Sequence, residues 1–274
     1  MKIGFMSSNC PRFGVQEVLS RAVKDGFAGF EPRIGWNHRH GIEPGAPAAQ
    51  LAEIRRAFAD AGVAIPCIAT GIHTGVPPER RAEQLETLKQ CIALAQAVGA
   101  AYLRVFGGGP REIDEQTRVG YSAETLAQAA DIAAGSGVMP LLETHDFFRA
   151  GRLVGQVLDL VDRPEIGILW DIGHPVSTGE PLETTIAALK LGRVRHLHVN
   201  DSFLTPKAGG GYDRADCNDY GQGDLPLAAA DRALSAAGFS GIASLERIFK
   251  PDDESHDAAA FLAHLAAGMH RVHG

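Results

Sequence analysis

Four side chains able to hold a divalent cation each close a short apolar run of this 274-residue chain. Glu143 ends Met139-Pro140-Leu141-Leu142-Glu143, Asp171 ends Ile168-Leu169-Trp170-Asp171, His198 lies in His196-Leu197-His198, and Glu246 ends Ser244-Leu245-Glu246. Three oxygen donors and one imidazole suit a hard-to-borderline divalent ion: Mn²⁺, with Mg²⁺, Co²⁺ or Zn²⁺ as alternatives. A structural zinc site would use thiolates instead.

The neighbours of these residues sharpen the pattern. Glu143-Thr144-His145-Asp146 crowds three ionisable groups directly after an apolar run, which is costly unless a cation or a substrate organises them. In Trp170-Asp171-Ile172-Gly173-His174 the glycine permits a sharp turn, so that Asp171 reads as a ligand and His174 as a substrate-binding imidazole. The blander alternative for either acid is to cap the helix that follows or to pair with an arginine. His196 and His198, two apart on a strand, share a face, with His198 nearer the tip and His196 equally readable as a hydrogen-bonded core residue. Asn200 and Asp201 would orient His198 or hold the loop beyond it. If Glu246 points inward, Arg247 must point away or reach over the rim, because adjacent strand residues face opposite ways.

The elements that must position these groups alternate along the chain. Candidate strands are Lys2–Phe5, Gly29–Arg33, Ala64–Ala69, Tyr102–Val105, Met139–Glu143, Gly167–Asp171, Arg195–Val199 and Ile242–Glu246. Helical patterns lie between or after them, near Val15–Lys24, Ala48–Ala61, Glu79–Val98, Ala123–Gly135, Leu153–Leu160, Leu182–Leu189, Leu227–Ala237 and Ala258–Val272. Eight of each is the number that closes an α/β (β/α)8 TIM barrel, here one domain spanning 1–274. A doubly wound open sheet is the rival, but it gathers its ligand at one switch point, whereas these acids end four different strands. Residues 202–223, Gly-, Asp- and Asn-rich, read as a structureless lid loop over the site.

Composition removes several classes. A net charge of −7 with no basic cluster argues against nucleic acid. Apolar runs fall short of the roughly 20 residues of a membrane span, and the first residues are too short an apolar run for a secretory leader. Cys10, Cys67, Cys91 and Cys217 form no CxxC pair, which suits a reduced, cytoplasmic setting.

Leu142-Glu143-Thr144-His145, Trp170-Asp171-Ile172-Gly173-His174, His196-Leu197-His198-Val199-Asn200-Asp201, Gly221-Gln222-Gly223-Asp224 and Leu245-Glu246-Arg247 together resemble the sugar phosphate isomerase/epimerase family, part of the xylose-isomerase-like TIM-barrel superfamily. That superfamily also holds ketose 3-epimerases, hydroxypyruvate isomerase, inosose and 3-dehydroshikimate dehydratases and endonuclease IV. The resemblance covers essentially the whole chain, including Gly29-Phe30-Glu31-Pro32-Arg33. It implies metal ligands at Glu143, Asp171, His198 and Glu246, with Glu143 and Glu246 doubling as acid and base. It also implies substrate contacts at Glu31, Arg104, His145 and His174, the two histidines acting in catalysis as well. A small carbohydrate or keto-acid substrate and a homo-oligomer follow from it too.

Two departures stand out. Ketose 3-epimerases place a substrate-contacting Glu six residues after the first ligand, where this chain has Arg149, and an Arg six after the metal His, where it has Leu204. The Glu143-x-His145 arrangement, with Arg104 ending a strand beside Phe106-Gly107-Gly108-Gly109, is closer to dehydratase-type members. Arg104 and the backbone of that loop would bind a carboxylate or phosphate, or Arg104 would only form an ion pair within the barrel.

The expected chemistry is removal of a proton next to a carbonyl through a metal-stabilised enediolate, giving isomerisation or epimerisation. Loss of a hydroxyl from the same enolate, with His145 as acid, would give dehydration. Less favoured are an endonuclease IV-like phosphodiesterase, for which His73 would be an extra ligand, and a non-catalytic barrel that keeps the metal as a clip.

Overall fold

Every barrel strand follows a two-residue rhythm, one face inward and one outward, and that rhythm decides what stands at the mouth. The structure is a computed structural model that describes residues 1–273. Its strands are β1 (Lys2–Met6), β2 (Gly29–Glu31), β3 (Cys67–His73), β4 (Tyr102–Phe106), β5 (Met139–Glu143), β6 (Gly167–Asp171), β7 (Val194–Val199), β8 (Ser202–Pro206), β9 (Tyr212–Asp216) and β10 (Ile242–Leu245). The helices are α1 (Val15–Asp25), α2 (Ala48–Asp60), α3 (Pro78–Val98), α4 (Glu115–Ala133), α5 (Gly151–Val161), α6 (Gly173–Ser177), α7 (Leu182–Leu189), α8 (Leu227–Ala236) and α9 (Ala258–His273).

Eight of the strands pair in parallel in the order β2-β1-β10-β7-β6-β5-β4-β3. The two ends of that order meet through bridges from Gly29 to Ala64 and from Arg33 to Ala69, so the sheet curls round into a TIM barrel. Parallel strands need long crossovers, and the helices supply them on the outer surface. In β5, Leu142 faces out into the large apolar layer between barrel and helices, while Leu141 packs inside against Cys67 and Leu169. The same parity carries Glu143, two residues beyond Leu141, onto the inner face at the strand's C-terminal end. In β6, Ile168 and Trp170 lie in the outer layer, which leaves Leu169 and Asp171 inside.

Helix ends obey local chemistry. Glu17 accepts the N–H of Gly14 at the start of α1, Asp114 caps α4 through Thr117, and Gly99 closes α3 at φ +80, a conformation that costs glycine little. No helix among the described residues is long and apolar enough to cross a membrane.

Two expectations need correction. The third strand, expected over Ala64–Ala69, runs Cys67–His73, with Ala64 contributing only an isolated bridge to Gly29. Pro66 has no N–H to donate there, and the polar end Thr70-Gly71-Ile72-His73 looks like a loop yet continues along β4. The stretch 202–223 is not structureless: β8 and β9 pair as an antiparallel hairpin from Ser202↔Asp216 to Pro206↔Tyr212. Asp201 holds its base, with Oδ2 accepting the N–H groups of Gly221 and Gly223, each at 2.8 Å. A Cβ on Gly223 would fall 2.3 Å from Asp201 Oδ1, so the close approach requires glycine there.

Candidate metal and substrate site

At the C-terminal mouth three of the four expected ligands converge. His198 Nδ1 lies 2.8 Å from Glu143 Oε1 and 3.0 Å from Glu246 Oε2. One ring nitrogen carries at most one proton, so it cannot satisfy both carboxylates by hydrogen bonding, and their mutual repulsion remains. A divalent cation among the three would remove both difficulties. The opposite nitrogen, Nε2, sits 3.0 Å from Glu31 Oε1. A carboxylate holding that nitrogen's proton fixes the tautomer and leaves Nδ1 free to ligate, as in metal-binding histidines generally. The donor set therefore fits a divalent ion.

The electrostatics are correspondingly tight. Burial alone would disfavour charge on His198, but Glu246, Glu31 and Glu143 outweigh it and hold its imidazolium well above the usual range. Burial would likewise raise the Glu143 carboxyl, yet His198 and then Arg104 hold it well below the ordinary value. Glu246 is lowered by His198 against both burial and the like charge of Glu143.

Asp171 stands apart from this trio. Its Oδ1 accepts the N–H groups of Gly173 at 2.8 Å and His174 at 3.0 Å, capping α6, while Oδ2 lies 3.7 Å from His174 Nε2. The helix-capping alternative is thus realised by one oxygen, and the other has no backbone donor. Asp171, Glu246, Arg104, His145 and His174 all line one cavity of about 410 Å³ at the mouth.

Glu31, expected to touch substrate, does not line that cavity. It is fully buried beneath the mouth, with Oε2 2.7 Å from His196 Nε2 and Oε1 on His198. Both oxygens are thereby engaged by histidines, and its place is behind the ligands. His196, whose Nε2 also lies 3.1 Å from Ser244 Oγ while its buried Nδ1 has no partner among the described residues, takes the place of the core residue in the second reading.

His145 and His174 meet edge to face, with ring centroids 4.7 Å apart. Burial lowers His174, whereas at His145 the adjacent Asp146 and nearby Glu143 overcome burial and raise the imidazolium. Neighbouring imidazoles pushed in opposite directions are what an acid and a base require. Arg104 donates to Glu143 Oε2 at 3.0 Å and lies 3.8 Å over the Phe106 ring, so its ion-pair alternative holds for one nitrogen while Nε has no partner. The following glycines serve packing: a Cβ on Gly107 would fall 1.9 Å from the Phe148 ring.

Arg33, Trp36, Arg214 and Arg247 also line the cavity and were not assigned to the substrate from the sequence. Arg33 ends the second predicted strand, and its position at a barrel strand tip was the available signal. Arg214 had none, because it reaches the site from β9 of the hairpin. Arg247 reaches over the rim, its Nε 2.9 Å from Asn200 Oδ1 and NH1 2.7 Å from Asn218 Oδ1, and so ties β10 to the hairpin's base.

A family model described as xylose isomerase-like TIM barrel matches residues 19–265. An uncharacterized protein of Methanocaldococcus jannaschii is 28% identical over 128 residues, an alignment spanning 44% of this chain and only 41% of that protein. Among solved structures, the IolI protein with a bound zinc atom superposes with a TM-score of 0.79 at 19% identity, covering 100% of this chain and 98% of its own. D-psicose 3-epimerase of Clostridium cellulolyticum H10, solved with D-tagatose, gives 0.76 at 16% identity, covering 100% and 99%. The probable 3-DHS dehydratase AsbF of Bacillus anthracis gives 0.74 at 18% identity, again covering 100% and 99%. At these identities the likeness is one of fold.

Proposed function

The chain belongs to the xylose isomerase-like TIM barrel family, and from that premise we propose that it is a divalent-metal-dependent isomerase or epimerase of a small sugar or sugar derivative. The observation that carries this reading is the pair of carboxylates, Glu143 and Glu246, facing the same nitrogen of His198 at 2.8 and 3.0 Å. Glu143, His198 and Glu246 would hold the ion, with Asp171 joining through Oδ2. Mn²⁺ is the first choice; the zinc in IolI shows what a protein of similar fold accepts. When bound, such an ion acts as a Lewis acid that polarises a carbonyl and stabilises the charge of an enediolate.

The protein's own groups divide the remaining work. Glu246, its side chain 13% exposed and on the cavity wall, is the carboxylate that reaches substrate and takes the proton next to the carbonyl. Glu143 is completely buried and held by Arg104, so its role is to ligate. His174 and His145 stand in the same cavity as the groups that return or supply a proton. The hairpin acts as a lid that brings Arg214 to the mouth.

Dehydration is the second reading, favoured by His145 in the cavity beside His174. With His145 protonating a departing hydroxyl, the same enolate would lose water. A deuterium-exchange screen of ketoses, keto acids and inososes in D₂O, with the metal content of the purified protein measured alongside, tests both. Exchange at the carbon next to a carbonyl supports proton abstraction, and loss of water from an exchanging substrate selects dehydration. No exchange across the panel by metal-loaded protein would overturn the proposal.

The four cysteines are free and buried, which supports a cytoplasmic setting. The partner proposed is a small carbohydrate or keto acid, with no role for nucleic acid or membrane.

A further inference from the structure

The cavity holds one cation whose hydrogen-bonding capacity is unused. Arg33 lies with its guanidinium carbon 3.7 Å over the ring of Trp36, itself 50% exposed at the mouth. Among the described residues none of its side-chain nitrogens has a hydrogen-bond partner, and its Nε is buried. A buried unpaired donor on a charged group is costly, and a protein retains one where a ligand completes it.

The backbone of Arg33 is, by contrast, fastened at both ends. Its N–H donates to Ser7 Oγ at 2.8 Å, and its carbonyl accepts from His40 Nε2 at 3.2 Å. His40 Nδ1 takes the N–H of Ile42 at 3.0 Å, which leaves the ring proton on Nε2, the nitrogen that faces Arg33. Ser7 Oγ, which accepts from Arg33, also shares a hydrogen bond with His38 Nδ1 at 2.8 Å. Two buried neutral histidines and a buried serine thus hold one arginine in place. Such support is wasted on a side chain that merely covers surface.

Arg104 lines the same cavity and has the same unfinished character. One nitrogen serves Glu143, the guanidinium lies over Phe106, and the buried Nε is unpaired. Burial, then the neighbouring Arg104 charge, both act against the Arg33 cation.

We propose that Arg33 and Arg104 form a two-guanidinium clamp for an anionic group of the substrate, a carboxylate or a phosphate. Each guanidinium offers planar N–H donors suited to such oxygens, and each is held flat on an aromatic ring. Arg33 is the specificity-determining member, since it carries no internal ion pair. The clamp rests on the reading of this cavity as the substrate's, and it narrows that substrate from a sugar derivative in general to an acidic one.

The test is calorimetric binding of the full-length protein to three probes: D-fructose, D-fructose 6-phosphate and 5-keto-D-gluconate. Either anion is expected to bind at least about tenfold more tightly than the neutral ketose, and which one does so separates phosphate from carboxylate. Arg33→Met should bring that ratio to about one, with Arg33→Lys keeping part of it. The backbone bonds to Ser7 and His40 do not involve the replaced atoms, so circular dichroism should show Arg33→Met folded; Trp36→Ala, which removes only the platform, should lower the ratio as well.

An unchanged ratio in Arg33→Met, or no measurable binding of either anion by wild type, overturns the clamp. Titration with Mn²⁺ alone keeps the two readings separate. Mn²⁺ binding that Glu246→Gln removes, without anion preference, sinks the clamp and spares the metal site; anion preference without Mn²⁺ binding does the reverse.

Discussion

The two halves of the barrel wall carry opposite furniture. Around the ring, β10, β7, β6 and β5 are consecutive, and they or the residues just beyond them bring Glu246, His198, Asp171 and Glu143 to the mouth. The rest of the ring brings Arg104 from β4, the strand next to β5, and Arg33 from just beyond β2. One wall is built to concentrate negative charge, as a cation requires, and the other presents guanidinium groups resting on Trp36 and Phe106. A substrate lying against both would meet unlike chemistry on its two sides. Glu31 is the exception that joins the walls: it starts from β2 on the cationic side and runs beneath the mouth to hold both histidines of β7.

Several changes would break or sharpen this contrast. The largest effect is expected on the acidic wall. Glu246→Gln should lower turnover on a confirmed substrate by about 10²–10⁴-fold, the usual worth of a positioned base, while the circular-dichroism melt stays near wild type. Near-wild-type rates would mean that wall is scenery.

Arg104→Met tests the arginine–carboxylate pair that crosses between the walls. Glu143 would keep a buried charge and lose one of its partners, so urea unfolding should show a loss of about 3–5 kcal/mol. A loss under 1 kcal/mol would indicate that His198 alone neutralises it.

Acid should separate the buried histidine behind Arg33 from the lowered carboxylates of the acidic wall, because the two kinds of group titrate in different windows. His40, behind Arg33, has its pKa lowered to about 4 from an unfolded value near 6.5, through burial. Between those values the unfolded chain takes up a proton that the folded chain refuses, so stability falls as pH drops from 6.5 towards 4, by up to about 3 kcal/mol. The lowered carboxyls of Glu143 and Glu246 contribute stability above the unfolded carboxylate range and lose it at more acidic pH still. Urea melts across pH should show the upper slope shrink in His40→Gln and the lower one persist.

The smallest effect concerns the link between the walls. Glu31→Gln leaves every proposed ligand in place but weakens the grip on His198 Nε2, and calorimetry with Mn²⁺ should show affinity reduced by about 10- to 100-fold. Unaltered affinity would make Glu31 a packing residue.

The acidic wall was far easier to read from the sequence than the cationic one. Glu143, Asp171 and Glu246 each end a run of buried aliphatic residues, and the alternation within the run says which face the acid takes. β2 has only three residues, too few for a pattern, so nothing local tells a substrate contact at Glu31 from a place beneath His196 and His198, or marks Arg33 as a cavity residue. Hydrogen bonding between distant strands leaves no local trace. The start of α4 at Glu115, eight residues before the expected Ala123, was hidden for a different reason: Glu115-Gln116-Thr117-Arg118 is polar, and its Asp114 cap resembles a loop residue until Thr117 is seen to bond to it. In the hairpin, β8 and β9 are largely exposed, and a strand without a buried face has no alternation to display.

Asp201 has a consequence for how this molecule can change over time. By fastening the two ends of the excursion that contains β8 and β9 to one buried carboxylate, it makes the chain leave the barrel and rejoin it at a single knot. Residues 207–210, the exposed tip, can be lengthened, trimmed or replaced without moving the register of any barrel strand. What stands above the cavity is therefore free to diversify while the chemistry below it is inherited intact.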